Sequence, residues 1–367
     1  MILNSDINRI NKDVKIYYIE PSGEKMKTYL VTGGCGFIGS NFIHYLFKTY
    51  DNDVKVINLD KLTYAGNEEN LKEVADRENY LFIKGDICDE ECVNSIFKTH
   101  DIDYVVHFAA ESHVDRSILS SKEFVISNVL GTTTLLDAAR SAWLVDGDNY
   151  KEGKKYLQVS TDEVYGSLGE IGYFTETTPL DPHSPYSASK ASADLIVKSY
   201  IDTHKFPANI TRCSNNYGPY QYPEKLIPLL IQNCLAYKPL PVYGDGKNIR
   251  DWLYVEDHCR AIDLVLRKAE VGEIYNIGGH NEKTNIDIVK LVIAYLHDNY
   301  DAEIAENLIT YVADRKGHDR RYGIDPEKIG RDLGWKPETM FDEGIVKTIQ
   351  WYLDNQEWLK NLQNRQH

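Results

Sequence analysis

The stretch Thr28-Tyr29-Leu30-Val31-Thr32-Gly33-Gly34-Cys35-Gly36-Phe37-Ile38-Gly39-Ser40 decides how the chain folds. Its first five residues read as a buried strand. Gly34, Gly36 and Gly39 fit the pattern G-x-G-x-x-G, and a helix-like segment, Asn41 to Tyr50, follows. In that context the glycines have a physical reason to be there, since they let the backbone turn tightly, approach a pyrophosphate and leave its charge at the positive end of a helix. A glycine-rich string alone also suits an ordinary turn. Here the next strand-like run, Val54 to Leu59, leads into Asp60, about twenty residues beyond the last glycine, where a carboxylate accepts the ribose hydroxyls of a dinucleotide. Asp60 repels a ribose 2′-phosphate, which favours NAD over NADP, whereas the neighbouring Lys61 would neutralise one. The plain alternative for Asp60 is a strand-end or helix-capping acid.

Outward from this turn, short β-branched runs alternate with longer amphipathic stretches, the pattern of a parallel sheet covered by helices. The expected strands are Thr28 to Thr32, Val54 to Leu59, Tyr80 to Ile83, Tyr104 to Phe108, Tyr156 to Ser160 and Ala208 to Arg212. The expected helices include Asn41 to Tyr50, Cys92 to Lys98, Val129 to Ala142 and Ser187 to Thr203. This order predicts an α/β fold with a Rossmann-like doubly wound parallel sheet. Beyond about residue 213 the chain turns to Pro-, Tyr- and Gly-rich loops, NNYGPYQYPEKLIP and KPLPVYGDGKNIRDW, interspersed with a few helices. They predict a smaller C-terminal substrate-binding lobe. The expected division is an N-terminal extension over residues 1–25, a dinucleotide-binding domain carrying the catalytic residues over 26–212, and the lobe over 213–367, with some segments returning to the first domain. The acidic region around Asp298 to Asn307 reads as a solvated face.

Composition excludes several classes. The 367 residues are 42% hydrophobic and 26% charged, an ordinary globular balance. With 41 basic and 56 acidic residues the formal charge is −15, a field that repels nucleic acid and anionic membrane surfaces. An anionic substrate therefore needs local basic groups. Cys35, Cys88, Cys92, Cys213, Cys234 and Cys259 show no CxxC spacing and no accompanying His cluster, so no metal is expected and reduced thiols are. No apolar run approaches the ~20 residues of a membrane span, and the polar start lacks a signal-peptide centre. A cytoplasmic protein is expected.

Two further strings carry chemistry. The run Tyr156 to Ser160 enters Thr161-Asp162-Glu163-Val164-Tyr165-Gly166, and further on stands Tyr186-Ser187-Ala188-Ser189-Lys190. A Tyr and a Lys at this spacing share a helix face. A phenol of pKa about 10 is a poor base at neutral pH; a nearby ammonium and a cationic nicotinamide favour phenolate, and a shift of ~3 units takes roughly 4 kcal/mol. A lone YxxxK is common, and this one gains its weight from the glycine motif upstream and the strand-end Thr161. Asp162 and Glu163, taken by themselves, read as caps of the following turn.

TGGCGFIGS (32–40), AAESHVDRS (109–117), STDEVYGS (160–167), SPYSASKASAD (184–194) and RCSNNYGPYQYPEKLIP (212–228) together resemble the extended short-chain dehydrogenase/reductases and, more narrowly, the dTDP-glucose 4,6-dehydratases. The resemblance spans nearly everything from Met26 onward. Cys35 stands where that family usually has Ala. The resemblance implies NAD as cofactor and a nucleotide sugar, dTDP-glucose, as substrate. It implies that Tyr186, with Lys190 and Thr161, draws the proton from the sugar 4-hydroxyl while C4 gives hydride to NAD. Glu163 then removes the acidified C5 proton as Asp162 protonates the departing 6-hydroxyl, and the hydride returns to C6.

Cofactor contacts implied in the same way are Gly33, Gly36, Phe37, Ile38, Gly39, Asp60, Lys61, Leu62, Thr63, Asp86, Ile87, Ala109, Ala110, Glu111, Ser112, Asn128, Tyr186 and Lys190. On the substrate side they are His113, Thr161, Asn215, Lys225, Leu226, Pro241, Tyr243, Arg250, Asn285, Arg315, His318 and Asp319. Arg250 and Arg315 suit a diphosphate, and Tyr243 suits stacking on a pyrimidine. For His113 the alternative is a satisfied loop histidine, for Asn128 a helix-kink cap, and for Tyr243 core packing. A homodimer is implied by the resemblance alone. The alternatives are a UDP-glucose 4,6-dehydratase, a 4-epimerase, a non-catalytic nucleotide-sugar sensor and a simple alcohol dehydrogenase. The Asp162-Glu163 pair argues against the epimerase, which needs only the Tyr and the Lys.

Overall fold

The computed structural model describes residues 26–314 and 318–364, so the extension expected over 1–25 and Arg315 lie outside the described residues. Seven strands form the main sheet: β1 (Lys27–Thr32), β2 (Val54–Asp60), β3 (Tyr80–Lys84), β4 (Tyr104–His107), β5 (Lys155–Thr161), β6 (Ala208–Cys213) and β7 (Ile274–Ile277). Their order across the sheet is β7-β6-β5-β4-β1-β2-β3, and every neighbouring pair is parallel. Side chains alternate between the two faces, and in β1 Tyr29 and Val31 enter one core while Leu30 enters the other. Helices Phe37–Tyr50 and Val255–Lys268 cover the first face, and Glu90–Thr99, Gly131–Trp143 and Pro185–His204 the second. This is the Rossmann-like doubly wound sheet, and the order reverses between β1 and β4, the crevice where such folds bind ligands.

The strands expected from the sequence are present, each within a residue or so at its ends. Three differences have local causes. The first helix begins at Phe37 rather than Asn41, because Gly36 is already its N-cap. The helix Pro185–His204 begins two residues before Ser187, where Ser184 and Ser187 form a reciprocal capping box and Pro185 fits the first turn. The helix expected from Val129 is α-helical from Gly131 to Trp143, and a π-turn over Ile126–Leu130 with Asn128 in its middle leads into it. The seventh strand, IYNI, is absent from the expected set; four residues among Tyr and Asn give no clear alternation.

Beyond residue 213 the chain is more regular than its loop-rich composition suggests. A third core gathers Tyr217, Trp252 and Phe341 with helices Leu226–Leu235, Asn285–Asn299 and Phe341–Asp354. A three-stranded sheet joins Asn215–Tyr217, Ile249–Tyr254 and Glu282–Thr284, and Leu240–Tyr243 pairs with Ile309–Val312. All six cysteines are unpaired. Among the described residues no helix is long and apolar enough to cross a membrane.

Candidate active site

Parallel strands put all their C-terminal ends on one edge, and a cleft of ≈ 670 Å³ opens along it. Its walls come from the residues just after each strand end: Gly33 and Gly36 after β1, Asp60 and Lys61 at β2, Asp86 and Ile87 after β3, Ala109 to Ser112 after β4, Thr161 to Glu163 at β5 and Cys213 to Asn216 at β6. Tyr186 and Lys190 enter from the helix Pro185–His204.

At the glycine turn, Gly33 has φ 72°, and a Cβ there would sit 2.6 Å from the backbone nitrogen of Ala109. Only glycine lets these two loops touch. Gly36 is different. A Cβ on it would meet no protein atom nearer than 3.2 Å and would project into the cleft, so the space is kept open for something other than protein. The helix behind it has no side-chain N-cap and no acidic residue in its first turn, which leaves its N–H groups and positive end for an anion. Gly36→Ala is accordingly expected to weaken NAD binding by about a hundredfold or more, by titration calorimetry, while the melting temperature shifts by only a few degrees; equal losses of both would contradict this reading.

Asp60 is buried at the next strand end, where its carboxylate accepts N–H bonds from Cys35 (2.9 Å) and Leu62 (2.8 Å). Burial raises its pKa, and these two bonds pull it back. It braces the turn, and an ionised carboxylate still has acceptor positions left for ribose hydroxyls. Lys61 turns to Asp86, 2.7 Å away, and so is not posted at a 2′-phosphate. The uncapped helix, the open floor at Gly36 and this acid together fit NAD.

The reacting groups meet at the other end of the cleft. Lys190 is buried and donates to the carbonyl of Val159 at 2.7 Å; burial lowers its pKa, and Asp194, one helical turn on, raises it. The pKa of Tyr186 is pushed up, chiefly by burial and then by Glu163, while Thr161 lies close enough to its hydroxyl to lower it in part. Lys190 alone therefore does not favour phenolate as expected: its ammonium is engaged by Val159, and burial with Glu163 prevails, which leaves that part to the cationic nicotinamide. Asp162 is buried, with its Oδ1 accepting from Thr161 at 3.3 Å and its Oδ2 without a hydrogen-bond partner. Burial first, then Glu163 and Asp251, raise its pKa well above the ordinary value of an aspartate, which favours the protonated form. Glu163 stands beside it, its N–H bonded to Thr161 Oγ1 at 3.3 Å.

A buried acid of raised pKa, a neighbouring carboxyl and a Tyr–Lys pair at the end of a dinucleotide cleft are the parts of a redox-assisted elimination. The family model described as GDP-mannose 4,6 dehydratase matches residues 30–348. The chain belongs to this family. Within the dehydratases it is 53% identical over 345 residues to the dTDP-glucose 4,6-dehydratase of Neisseria meningitidis serogroup B, a match that covers 92% of this chain and 97% of that one. The dTDP-glucose 4,6-dehydratase of Bacillus anthracis, solved in complex with NAD, superposes with a TM-score of 0.82 at 50% identity, covering 92% of this chain and 99% of that chain. The enzyme of that name from Streptomyces venezuelae, solved with NAD and a second ligand, gives 0.84 at 46% identity, covering 91% and 99%.

The dehydratase cleft gathers most of the residues singled out from the sequence. Gly33, Gly36, Phe37, Ile38, Gly39, Asp60, Lys61, Thr63, Asp86, Ile87 and Ala109 to Ser112 line it, as do Thr161, Asp162, Glu163, Tyr186, Lys190, Asn215 and Lys225. Lys225 donates to the Ser112 carbonyl at 3.1 Å and so joins the two sides of the cleft. Two expected cofactor contacts do not line it. Leu62 supplies a left-handed turn (φ 57°) whose N–H reaches Asp60, and Asn128 exchanges two bonds with the Glu111 backbone (2.8 and 3.0 Å) and a third with Ser189. Asn128 therefore ties the Ala109–Ser112 loop to the helix of Tyr186.

On the substrate side, His113 caps the short helix Val114–Leu119 and faces Glu224 at 3.6 Å, a satisfied loop histidine whose pKa burial lowers. Leu226, Pro241, Tyr243, Arg250, Asn285, His318 and Asp319 do not line the cleft either. Arg250 is buried, stacks 4.2 Å over Tyr322 and donates to the Asp319 carbonyl, while the Asp319 carboxyl is shared by His183 and Tyr322, each at 2.6 Å. His318 faces Asp314 at 2.6 Å, and the Tyr243 ring lies 6.3 Å from it. Leu226 opens the helix after Lys225, and the Asn285 N–H bonds the Asn248 carbonyl. Sequence reasoning missed Gln221, Tyr222 and Glu224, which line the cleft; they lie in the same YQYPEKLIP string as Lys225 and Leu226, so the motif itself was the signal for them.

Proposed function

We propose that the protein is an NAD-dependent hydro-lyase that converts dTDP-glucose to dTDP-4-keto-6-deoxyglucose by loss of water across C5 and C6. The observation that carries this reading is Asp162: a buried carboxyl with one oxygen unpartnered and its pKa raised, in the same cleft as Tyr186 and Lys190 and next to Glu163. Epimerisation at C4 has no use for such an acid. Tyr186 takes the proton of the sugar 4-hydroxyl, with Thr161 beside its hydroxyl and Lys190 one turn along the same helix. Oxidation at C4 acidifies C5–H, from which Glu163 removes the proton. Asp162 gives its proton to the 6-hydroxyl as water leaves. Bound NAD would supply the hydride acceptor at C4, the donor at C6 and a positive ring that favours the Tyr186 phenolate.

Residues beyond 213 mainly hold the nucleotide in this reading. Asn215 and Lys225, which line the cleft, are among the residues of this part that reach it. Choice of dTDP over UDP is supported by the relatives. Incubation with dTDP-glucose, UDP-glucose and GDP-mannose in turn is expected to give a product lighter by one water from dTDP-glucose first; a 4-epimer of unchanged mass would contradict the proposal. As the pH rises through Asp162's raised value its proton is lost, so turnover should fall on the alkaline side.

The same reading includes a homodimer, in the reducing setting of the cytoplasm to which six free thiols are suited. Ile118, Leu119, Val125, Ile126 and Leu130 are exposed on short elements that pack beside the helix Pro185–His204, itself exposing Leu195. Such an apolar surface fits a second copy. Leu130→Arg with Leu195→Arg is expected to halve the mass seen by light scattering; a wild-type chain that is already monomeric would contradict it.

A further inference from the structure

The chain's last helices reach the glycine turn. Helices Phe341–Asp354 and Gln356–Asn364 bring Trp351, Tyr352 and Trp358 into one aromatic cluster. Tyr220 packs on Trp351 with ring centroids 4.7 Å apart and stacks at 5.5 Å on His44 of the first helix. Trp358 goes further. Its indole N–H donates to Asn70 Oδ1 at 2.8 Å, and Asn70, buried, donates from Nδ2 to the carbonyl of Cys35 at 3.0 Å. That carbonyl also accepts the Asn67 N–H at 2.9 Å, while the Cys35 N–H is held by Asp60 at 2.9 Å. The residue at the centre of the turn is thus gripped on both sides, and one grip traces back to the C-terminal helix.

The chemistry of the pair sets a direction. An indole only donates, so Trp358 admits only the oxygen end of the Asn70 amide, which leaves the nitrogen end for Cys35. Reversed, the amide would set a donor against a donor and an acceptor against an acceptor in a buried place, and both mismatches are costly. Neither side chain lines the cleft.

We infer that Trp358 and Asn70 are positioning residues for dinucleotide binding: the C-terminal helix fixes the Asn70 amide, which holds the Cys35 carbonyl and so aims Gly36 and the first helical N–H groups at the pyrophosphate. This rests on the NAD reading of the cleft. Trp358→Phe keeps a ring in the aromatic cluster and removes the donor. Trp351→Phe perturbs the same cluster without touching Asn70. NAD release is followed by displacement with the fluorescent ethenoadenine analogue, beside kcat and the KM for dTDP-glucose at saturating NAD.

Trp358→Phe is expected to speed release about fivefold, the effect of one ordinary hydrogen bond. Asn70→Ala should exceed it, and adding Trp358→Phe to Asn70→Ala should change nothing more, because the indole acts through that amide. Trp351→Phe should release NAD at the wild-type rate, and kcat with the sugar KM should stay within about twofold throughout. Wild-type release from Trp358→Phe, an equal acceleration by Trp351→Phe, or an undiminished effect of Trp358→Phe in the Asn70→Ala background would each overturn the inference. If Asn70→Ala does not fold, Trp358→Phe against Trp351→Phe decides. A wild-type chain that binds no NAD would overturn the cofactor reading itself.

Discussion

Tyr186→Phe is expected to lower kcat by about 10²- to 10⁴-fold, the range spanned by a positioned acid–base group, with little change in the KM for dTDP-glucose. The variant removes one oxygen from a side chain whose ring is held by the fold, near Phe124 with centroids 6.4 Å apart, so the cleft should persist. What disappears is the hydroxyl beside Thr161 that takes the 4-hydroxyl proton in the proposed mechanism. The surrounding charges sharpen the effect. Burial and the neighbouring Glu163 hold the phenol protonated, so it works as a base only when a cationic ring lies beside it. No reduced nicotinamide should form in this variant even in a single turnover. Formation at the wild-type rate would mean that another group takes the proton.

Glu163→Gln divides the reaction at a different place. Oxidation at C4 should proceed, elimination should slow by about 10²- to 10⁴-fold, and reduced nicotinamide should accumulate toward one equivalent per site in a rapid-mixing absorbance trace. The amide cannot accept the C5 proton, but it has nearly the shape of the acid. Removing the negative charge also relieves the raised pKa of Asp162, which Glu163 helps to hold up. The alkaline limb of the remaining activity should therefore move to lower pH. Dehydration at the normal rate would show that Glu163 is not the C5 base.

The fold was legible because its signals are local. A strand that must be buried on both faces shows as TYLVT or VKVINLD, and behind the first strand Gly33 adopts a left-handed backbone that favours glycine. The cofactor side was legible for the same reason, since Asp60 and the glycine turn are set by their own short segments. The substrate side was harder. Arg250 and Asp319 are drawn together from distant parts of the chain into a network with His183 and Tyr322, and nothing near either residue announces it. Asn128 misled for a related reason: its position matches a cofactor contact, but the π-turn points its amide at the Glu111 backbone. The raised pKa of Asp162 was also out of reach, because it comes first from burial, and then from Glu163 and from Asp251 on a distant strand. Nor could Trp358 be read as a partner of the glycine turn, since the two are joined only through Asn70.

In the proposed mechanism one hydride leaves C4 and returns to C6 of the same sugar, and every other step depends on that transfer. Turnover of dTDP-glucose carrying deuterium at C4, with the product examined by mass spectrometry and NMR, follows the hydride itself. The expected outcome is a 4-keto-6-deoxy product that keeps the deuterium, now at C6, with no net reduced nicotinamide in solution. Deuterium left at C4, lost to water or trapped in released coenzyme would refute the mechanism.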